Sequence, residues 1–369
     1  MARGEPSALG REATPDELER ARQIVLRHGW NATSYQILNP GIRLWFSADG
    51  EAVAGYLDRH GVRVVAGAPI CAHERLPAVV SAFEGAADGK EVCYFCAGSR
   101  LRSLIEERDA HCSVVIGAQP SWDPDSWVEM LGRHASLRAQ LNRARNKAVV
   151  VEEWSPERAM QSAAIRRCLE EWLSTRGLPP LHFLVESRTL ERLYDRRVFV
   201  AVKEGAVDGF LVASPIPARE GWLIEQIVRS SQAPNGTAEL LIDAAVRALG
   251  RESCHYVTLG LSPLSTRAGD LGTGGPAWLK LLLGWTRAHA HRFYNFEGLE
   301  AFKAKFRPAV WEPIYAIAGS PEFTPRLLYA VADAFSDRSV PSTIGRALLG
   351  AVRQEARWLR SRLAPTAEN

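Results

Sequence analysis

One order of elements runs through the chain twice, and this repeat constrains the fold more than any other feature. Apolar periodicity predicts a first helix over Pro15–His28, with Thr14 as N-cap and Gly29 as stop. Short β-like runs at Ile42–Phe46, Ala52–Leu57 and Val62–Ala66, separated by Ala48-Asp49-Gly50 and Arg59-His60-Gly61, predict a meander. A helix near Leu76–Glu84, a strand at Val92–Cys96, a helix near Leu101–Arg108 and a strand at Ser113–Ile116 complete this half. The acidic, proline-bearing stretch Ser121–Asp125 marks a boundary, and then the order returns. Helix Leu131–Arg145, strand Val149–Glu152 and helix Pro156–Thr175 precede β runs at Val198–Lys203, Val207–Ala213 and Trp222–Val228. Helix Ala238–Leu249, strand Tyr256–Leu261, helices Ala277–Ala290 and Leu299–Lys305, and strand Ile314–Ala318 follow. The reading is α/β (α+β): two copies of one fold, with mixed, mostly antiparallel sheets flanked by helices. The copies occupy 15–120 and 149–320, a basic connecting region occupies 121–148, and helices at Pro325–Phe335 and Ile344–Leu363 fill 321–369.

A length of 369 residues suits two ordinary domains. With 45 basic and 42 acidic residues the net charge is +3, which excludes a polybasic protein but leaves room for a local patch. No apolar run approaches the roughly 18–20 residues that cross a bilayer. The opening MARGEPSALGREATPDELERA has no apolar core of a secretion signal, so the expected location is cytoplasmic. Cys93 and Cys96 form a C-x-x-C without the second pair that zinc wants, and they do not open a helix. They read as packed strand cysteines, and no metal is expected. No P-loop, dinucleotide fingerprint or H-E-x-x-H occurs, and no G-x-S-x-G elbow accompanies His289 and His291.

Strand Trp222–Val228, loop Arg229–Gly236, helix Ala238–Leu249 and strand Tyr256–Leu261 follow the central order of an N-acetyltransferase-type (GNAT) fold. Enzymes of that fold that use acyl-CoA wrap its pyrophosphate in glycine-rich backbone at the helix N-terminus. Here the loop reads SSQAPNGTA: it has one glycine, Gly236, and Pro234 removes an amide. No cofactor is therefore expected, and a CoA-dependent acetyltransferase is a rival reading.

Leu223-Ile224-Glu225-Gln226-Ile227-Val228-Arg229, then Ala233-Pro234-Asn235-Gly236 and Glu239-Leu240-Leu241-Ile242, resemble the phosphatidylglycerol lysyltransferase family in its soluble catalytic region. Thr258-Leu259-Gly260-Leu261-Ser262-Pro263-Leu264, the run GLEAFKAKFRP over residues 298–308, and Trp311-Glu312-Pro313 resemble it too. So does Gly67-Ala68-Pro69-Ile70, with Ala68 in place of an acid. The resemblance runs in order from about residue 35 to 320. It implies two tandem GNAT-like domains that move an aminoacyl group from aminoacyl-tRNA to an acceptor. In the lipid enzymes the acceptor is a phosphatidylglycerol hydroxyl. In stand-alone members, such as the seryl transferase of valanimycin biosynthesis, it is a small molecule. The membrane flippase usually joined to the lipid enzymes has no counterpart here. A small hydroxyl, hydroxylamine or amine acceptor in a biosynthetic pathway is therefore the first expectation, and phosphatidylglycerol the second. A non-catalytic tRNA- or membrane-binding module is the third.

An aminoacyl ester is already activated, so the enzyme must hold it, position the acceptor and stabilise an oxyanion. The resemblance places Lys303, Lys305 and Arg307 near that site. On a helix 303 and 307 share a face, although the spacing alone fits a solvated basic turn equally. Arg229 ends its strand beside Asn235-Gly236, and Glu225, four residues earlier, shares its face on an extended strand. The pair is expected to orient the substrate or to form an ordinary surface ion pair. The lipid enzymes generally carry Asp where Gln226 stands, and Gln can neither act as a base nor carry the negative charge that a lysyl ammonium would want. Asn235-Gly236 reads as a turn that approaches a ligand or the next element.

The tRNA partner has its own candidate. Leu131–Val150 carries Arg133, Arg138, Arg143, Arg145 and Lys147 and no acid, so Arg138, Arg143, Arg145 and Lys147 are expected to meet phosphates unless the helix is a solvated connector. The helix Ile344–Leu363 combines an apolar stripe with five arginines. It docks on the body, grips tRNA, or gives peripheral contact with the inner membrane face.

Overall fold

A computed structural model describes residues 13–106, 110–175, 183–184, 189–289 and 295–335. The first helix, α1 (Pro15–His28), starts where Thr14 and Glu17 form a reciprocal capping box. It ends at Gly29, whose backbone turns extended (ψ 111°) while its amide still donates to the Val25 carbonyl, and a Cβ there would lie 2.7 Å from that oxygen. Strands β1 (Arg43–Phe46), β2 (Val53–Arg59) and β3 (Val62–Ala66) form the expected meander. Helix α2 (Leu76–Gly85) then returns the chain to β4 (Glu91–Ala97), parallel to β3. Helix α3 (Ser99–Glu106) leads into β5 (Cys112–Trp122), which runs six residues past the expected strand end at Ile116.

The long helices expected in the middle are each broken by a capping residue. His134 (φ −117°, ψ 87°) separates α4 (Trp127–Arg133) from α5 (Ala135–Arg145). After β6 (Val150–Trp154), Ser162 ends α6 (Pro156–Gln161) and caps α7 (Ala163–Ser174) by accepting from the Ile165 amide. Strands β7 (Arg197–Lys203), β8 (Ala206–Ile216) and β9 (Gly221–Arg229) form a second meander, followed by α8 (Thr237–Gly250) and β10 (Tyr256–Thr258). The expected strand to Leu261 ends early because Gly260 takes a left-handed φ of 68°. A two-residue β11 (Ser262–Pro263), α9 (Ala277–His289), α10 (Phe296–Ala304), β12 (Val310–Ala318) and α11 (Pro325–Ala334) complete the described chain. The expected helix Ile344–Leu363 and His291 lie outside the described residues. Within them, no helix is long and apolar enough to cross a membrane.

All twelve strands share one sheet, in the order β1-β2-β3-β4-β12-β5-β10-β9-β8-β7-β6, with β11 beside β5. The halves exchange their last strands: β12 lies between β4 and β5, while β5 pairs with β10. The β12–β5 seam runs antiparallel from Val310 opposite Ser121 to Ala318 opposite Cys112. Apolar clusters cover both faces, one under α1 and α11 and another between α5 and α8. The six cysteines are buried and free. Burial raises the thiols of Cys71, Cys168 and Cys254 to about 11, far from thiolate chemistry at neutral pH.

Candidate active site

Bulges shape the centre of the sheet. Cys96 on β4, Ile116 on β5 and Glu225 on β9 are each an extra residue opposite a regular partner strand. All three line one cavity of about 1750 Å³, walled by residues of both halves. The parallel pairing of β9 with β10 covers only Gly221–Leu223 against Tyr256–Thr258, and β9 continues to Arg229 without β10 beside it. This splay opens the sheet onto the cavity.

Lys303, on α10, brings a buried amine into the wall. It is fully buried, and its Nζ donates to the carbonyl oxygens of Gly260 and Leu261, each at 2.9 Å. The left-handed turn at Gly260 aims these carbonyls, and the Thr258 hydroxyl pins it by accepting from the Gly260 amide at 3.0 Å. No carboxylate among the described residues balances the ammonium, and burial lowers its pKa from 10.5 to about 7. At neutral pH this amine is available both as a base and as a cation.

Two carboxylates also line the cavity, each already held by an arginine. Glu225 receives Arg196 Nε at 2.5 Å and Gln36 Nε2 at 2.7 Å. Glu312, on β12, receives Arg219 at 2.6 and 3.1 Å, the Tyr256 hydroxyl at 2.7 Å and Gln119 Nε2 at 3.3 Å. Arg219 also stacks 3.5 Å above the Tyr256 ring. Burial and the Glu312 charge raise the Tyr256 phenol, which stays protonated as a donor. Two buried polar atoms in the wall, the Thr33 hydroxyl and Gln36 Oε1, have no hydrogen-bond partner among the described residues.

The sequence-predicted residues divide sharply. Lys303, Glu225, Gln226 and Arg229 line the cavity, but Glu225 and Arg229 do not pair. The bulge at Glu225 breaks the alternation on which that pairing depended, and Arg196 and Gln36 take the carboxylate instead. Gln226 is buried and accepts from the Thr189 hydroxyl. Arg229 is exposed at the end of β9.

Lys305 points away from the cavity, to Glu239 at 2.7 Å and Gln140 at 3.1 Å. Arg307 is exposed with φ 49°, beyond the end of α10, so it shares no helical face with Lys303. Asn235 is exposed and also outside the cavity wall. Gly236, with φ 97°, makes room for a neighbouring element: a Cβ there would lie 2.1 Å from the Gln140 carbonyl oxygen of α5. Helix α5 and the Glu239 carboxylate thus cover the α8 N-terminus, where a CoA pyrophosphate would need bare amides.

The basic connector is partly neutralised. Arg145 pairs with buried Asp243 at 2.8 Å, Arg133 pairs with Glu129, and Arg138 donates to the Leu131 and Gly132 carbonyls at the end of α4. Arg143 and Lys147 are exposed and make no ion pair with a described residue. None of these residues lines the cavity. Arg196, Arg219, Gln36 and Tyr256 were not singled out from sequence. Glu312 stood inside a quoted motif, but nothing in its spacing marked it as the hub of a polar cluster.

Two meanders, each followed by a helix and a parallel strand, and a cavity at the splayed centre define a tandem GNAT-like protein. Residues 22–318 match the family model for "Phosphatidylglycerol lysyltransferase, C-terminal", and the chain belongs to this family. The C-terminal domain of a putative lysylphosphatidylglycerol synthetase from Agrobacterium fabrum has a TM-score of 0.73 at 23% identity, over 88% of this chain and 99% of that one. The structure of L-PGS from Bacillus licheniformis has a TM-score of 0.71 at 22% identity, over 88% and 97%. By sequence, an uncharacterised protein of Corynebacterium glutamicum is 24% identical over 313 residues, and the phosphatidylglycerol lysyltransferase of Bacillus subtilis is 24% identical over 310 residues. These matches cover 79% and 81% of this chain but only 38% and 34% of those proteins, so the chain spans little more than a third of the curated relatives it matches.

Proposed function

We propose that the chain is an aminoacyltransferase that takes an aminoacyl group from aminoacyl-tRNA and esterifies a hydroxyl of an anionic phospholipid of the phosphatidylglycerol type. The observation that carries this reading is Lys303, a buried amine with pKa about 7 in the wall of a large cavity, in a chain of this family. The neutral amine accepts the proton of the acceptor hydroxyl as its oxygen attacks the ester carbonyl. The tetrahedral intermediate collapses by breaking the bond to the ribose oxygen. The resulting ammonium returns its proton to that oxygen. The new ester replaces the old, and no oxidant, metal or nucleotide is consumed.

The polar groups around Glu225 and Glu312 present donors and acceptors to the aminoacyl moiety, while Leu264, Leu283 and Ile314 give the cavity an apolar wall suited to a lipid glycerol and the head of its acyl chains. The exposed Arg143 and Lys147 serve as phosphate contacts for tRNA. A lipid acceptor replaces the small molecule expected first from the sequence, because the apolar wall favours it.

The test supplies purified protein with a pool of tRNAs, each charged with a radiolabelled amino acid. It is run with phosphatidylglycerol vesicles and separately with a soluble metabolite extract. Label passing into the organic phase is the expected result, and it names the amino acid. Label in a soluble product overturns the lipid acceptor. Label that stays on every tRNA in both arms overturns the transferase.

A further inference from the structure

Helix α9 turns an unusual face outward. Trp278, Leu281, Leu282 and Trp285 are 37%, 74%, 38% and 60% exposed, and at 100° per residue they fall within an arc of about 100°. Soluble surfaces scatter large apolar side chains singly and seldom line four along one helix. The opposite face is anchored. Leu279 is buried, and Leu279 and Leu283 join the apolar cluster that contains Val331 and Phe335. Arg287 reaches the Leu264 carbonyl and Glu300, which holds the helix against the body.

We propose that α9 is a membrane-docking element that lies in the plane of an anionic bilayer surface and seats the cavity on the lipid. Four features favour this occupant. The helix has thirteen residues, about 20 Å long, too short to span a bilayer but of ordinary size for an interfacial helix. Two of its exposed residues are tryptophans, which concentrate where hydrocarbon meets headgroups. It carries no acid, so an anionic surface does not repel it. Finally, Leu283 on the same helix lines the cavity, so docking by the outer face brings the inner face and the site to the lipid.

The purpose of this face rests on the lipid-acceptor reading, but its test needs no tRNA. The intact chain is mixed with vesicles of phosphatidylcholine containing phosphatidylglycerol, and with vesicles of phosphatidylcholine alone, and partitioning is measured by co-sedimentation. Wild type is expected to bind the anionic vesicles more tightly, and Leu281→Glu to weaken that binding at least about ten-fold with an unchanged unfolding midpoint. Leu281→Ser gives the same comparison should the glutamate disturb folding. Acyl chains carrying bromine should quench tryptophan fluorescence, and Trp278→Phe with Trp285→Phe should remove most of that quenching.

Equal partitioning of wild type and Leu281→Glu overturns the proposal, and so does quenching that survives both tryptophan substitutions. A dimer that Leu281→Glu dissociates, without vesicle binding, assigns the face to a second copy and also overturns it. Vesicle binding that depends on Leu281, without aminoacyl transfer, keeps the docking face and refutes the transferase. Transfer to lipid that ignores Leu281→Glu does the reverse.

Discussion

Lys303→Met separates the charge of the buried amine from its packing. In the folded chain the amine loses its proton near pH 7, whereas in the unfolded chain it holds it to about 10.5. Between those values the unfolded state binds the extra proton, so stability rises with pH by about 1.4 kcal/mol per unit. Below pH 7 both states are protonated and the contribution is flat, with the full burial penalty of about 5 kcal/mol in force. Methionine fills similar space and does not titrate. Its loss of the Gly260 and Leu261 hydrogen bonds is a pH-independent offset. The wild-type-minus-variant difference therefore isolates the lysine, because every other titrating group cancels. Urea unfolding between about pH 6 and 9 should show that difference moving in favour of wild type by about 2–3 kcal/mol from pH 7 to 9, and by well under 1 kcal/mol below 7. In the same range, transfer by wild type should rise with pH to a plateau with its inflection near 7, since the neutral amine is the base. A stability difference constant to within about 0.5 kcal/mol across the range would refute the depressed pKa, and with it the assignment of Lys303 as a base at neutral pH.

Arg219→Ala leaves Glu312 with Tyr256 and Gln119 only. It should lower kcat/KM about ten-fold or more, mainly through KM, and an unchanged kcat/KM would remove this cluster from the substrate site. Gly236→Ala meets both a φ of 97° and the Gln140 carbonyl oxygen, so thermal unfolding should show a loss of about 2 kcal/mol or more; an unchanged midpoint would contradict the packing of α5 on α8. Arg143→Glu combined with Lys147→Glu should weaken tRNA binding and reduce its salt dependence by about one slope unit for each phosphate no longer neutralised, with no change in unfolding midpoint; identical salt slopes would return the connector to a structural role.

Local chemistry made much of the fold legible. The Thr14 box, the turns at Asp49-Gly50 and His60-Gly61, and the short apolar runs of β2, β3 and β8 each act over a few residues, so the chain declares them where they occur. The strand exchange was not legible, because Ile314–Ala318 reads as the same apolar strand whichever neighbour it finds. The site divides in the same way. Lys303 and Lys305 are two residues apart in a basic run, and nothing local distinguishes them. What separates them is distant: the carbonyls of Gly260 and Leu261 for one, and Glu239 for the other. The Glu225–Arg229 expectation failed for a subtler reason, since period-two reasoning holds only while the strand stays regular and one bulge resets it.

The exchange of strands explains why the cavity belongs to neither half. The Glu312 cluster crosses three adjacent strands: Glu312 on β12 stands opposite Gln119 on β5, and Tyr256 on β10 borders β5 on its other side. Had each half kept its own last strand, β12 would have paired with β10 and β5 with β4. Glu312 and Gln119 would then stand in different sheets. Gln36 makes the same link from the other direction, since it lies in the first half and donates to Glu225 on β9 in the second. Two polar contacts of the site, Gln119 to Glu312 and Gln36 to Glu225, therefore also join the halves. A substitution such as Gln36→Ala should lower stability as well as transfer, and separating the two effects requires comparing kcat/KM with the unfolding midpoint in the same variant. Lys303 is exempt from this coupling, because its hydrogen-bond partners lie within its own half. It is therefore the residue at which catalysis can be altered with least disturbance to the join.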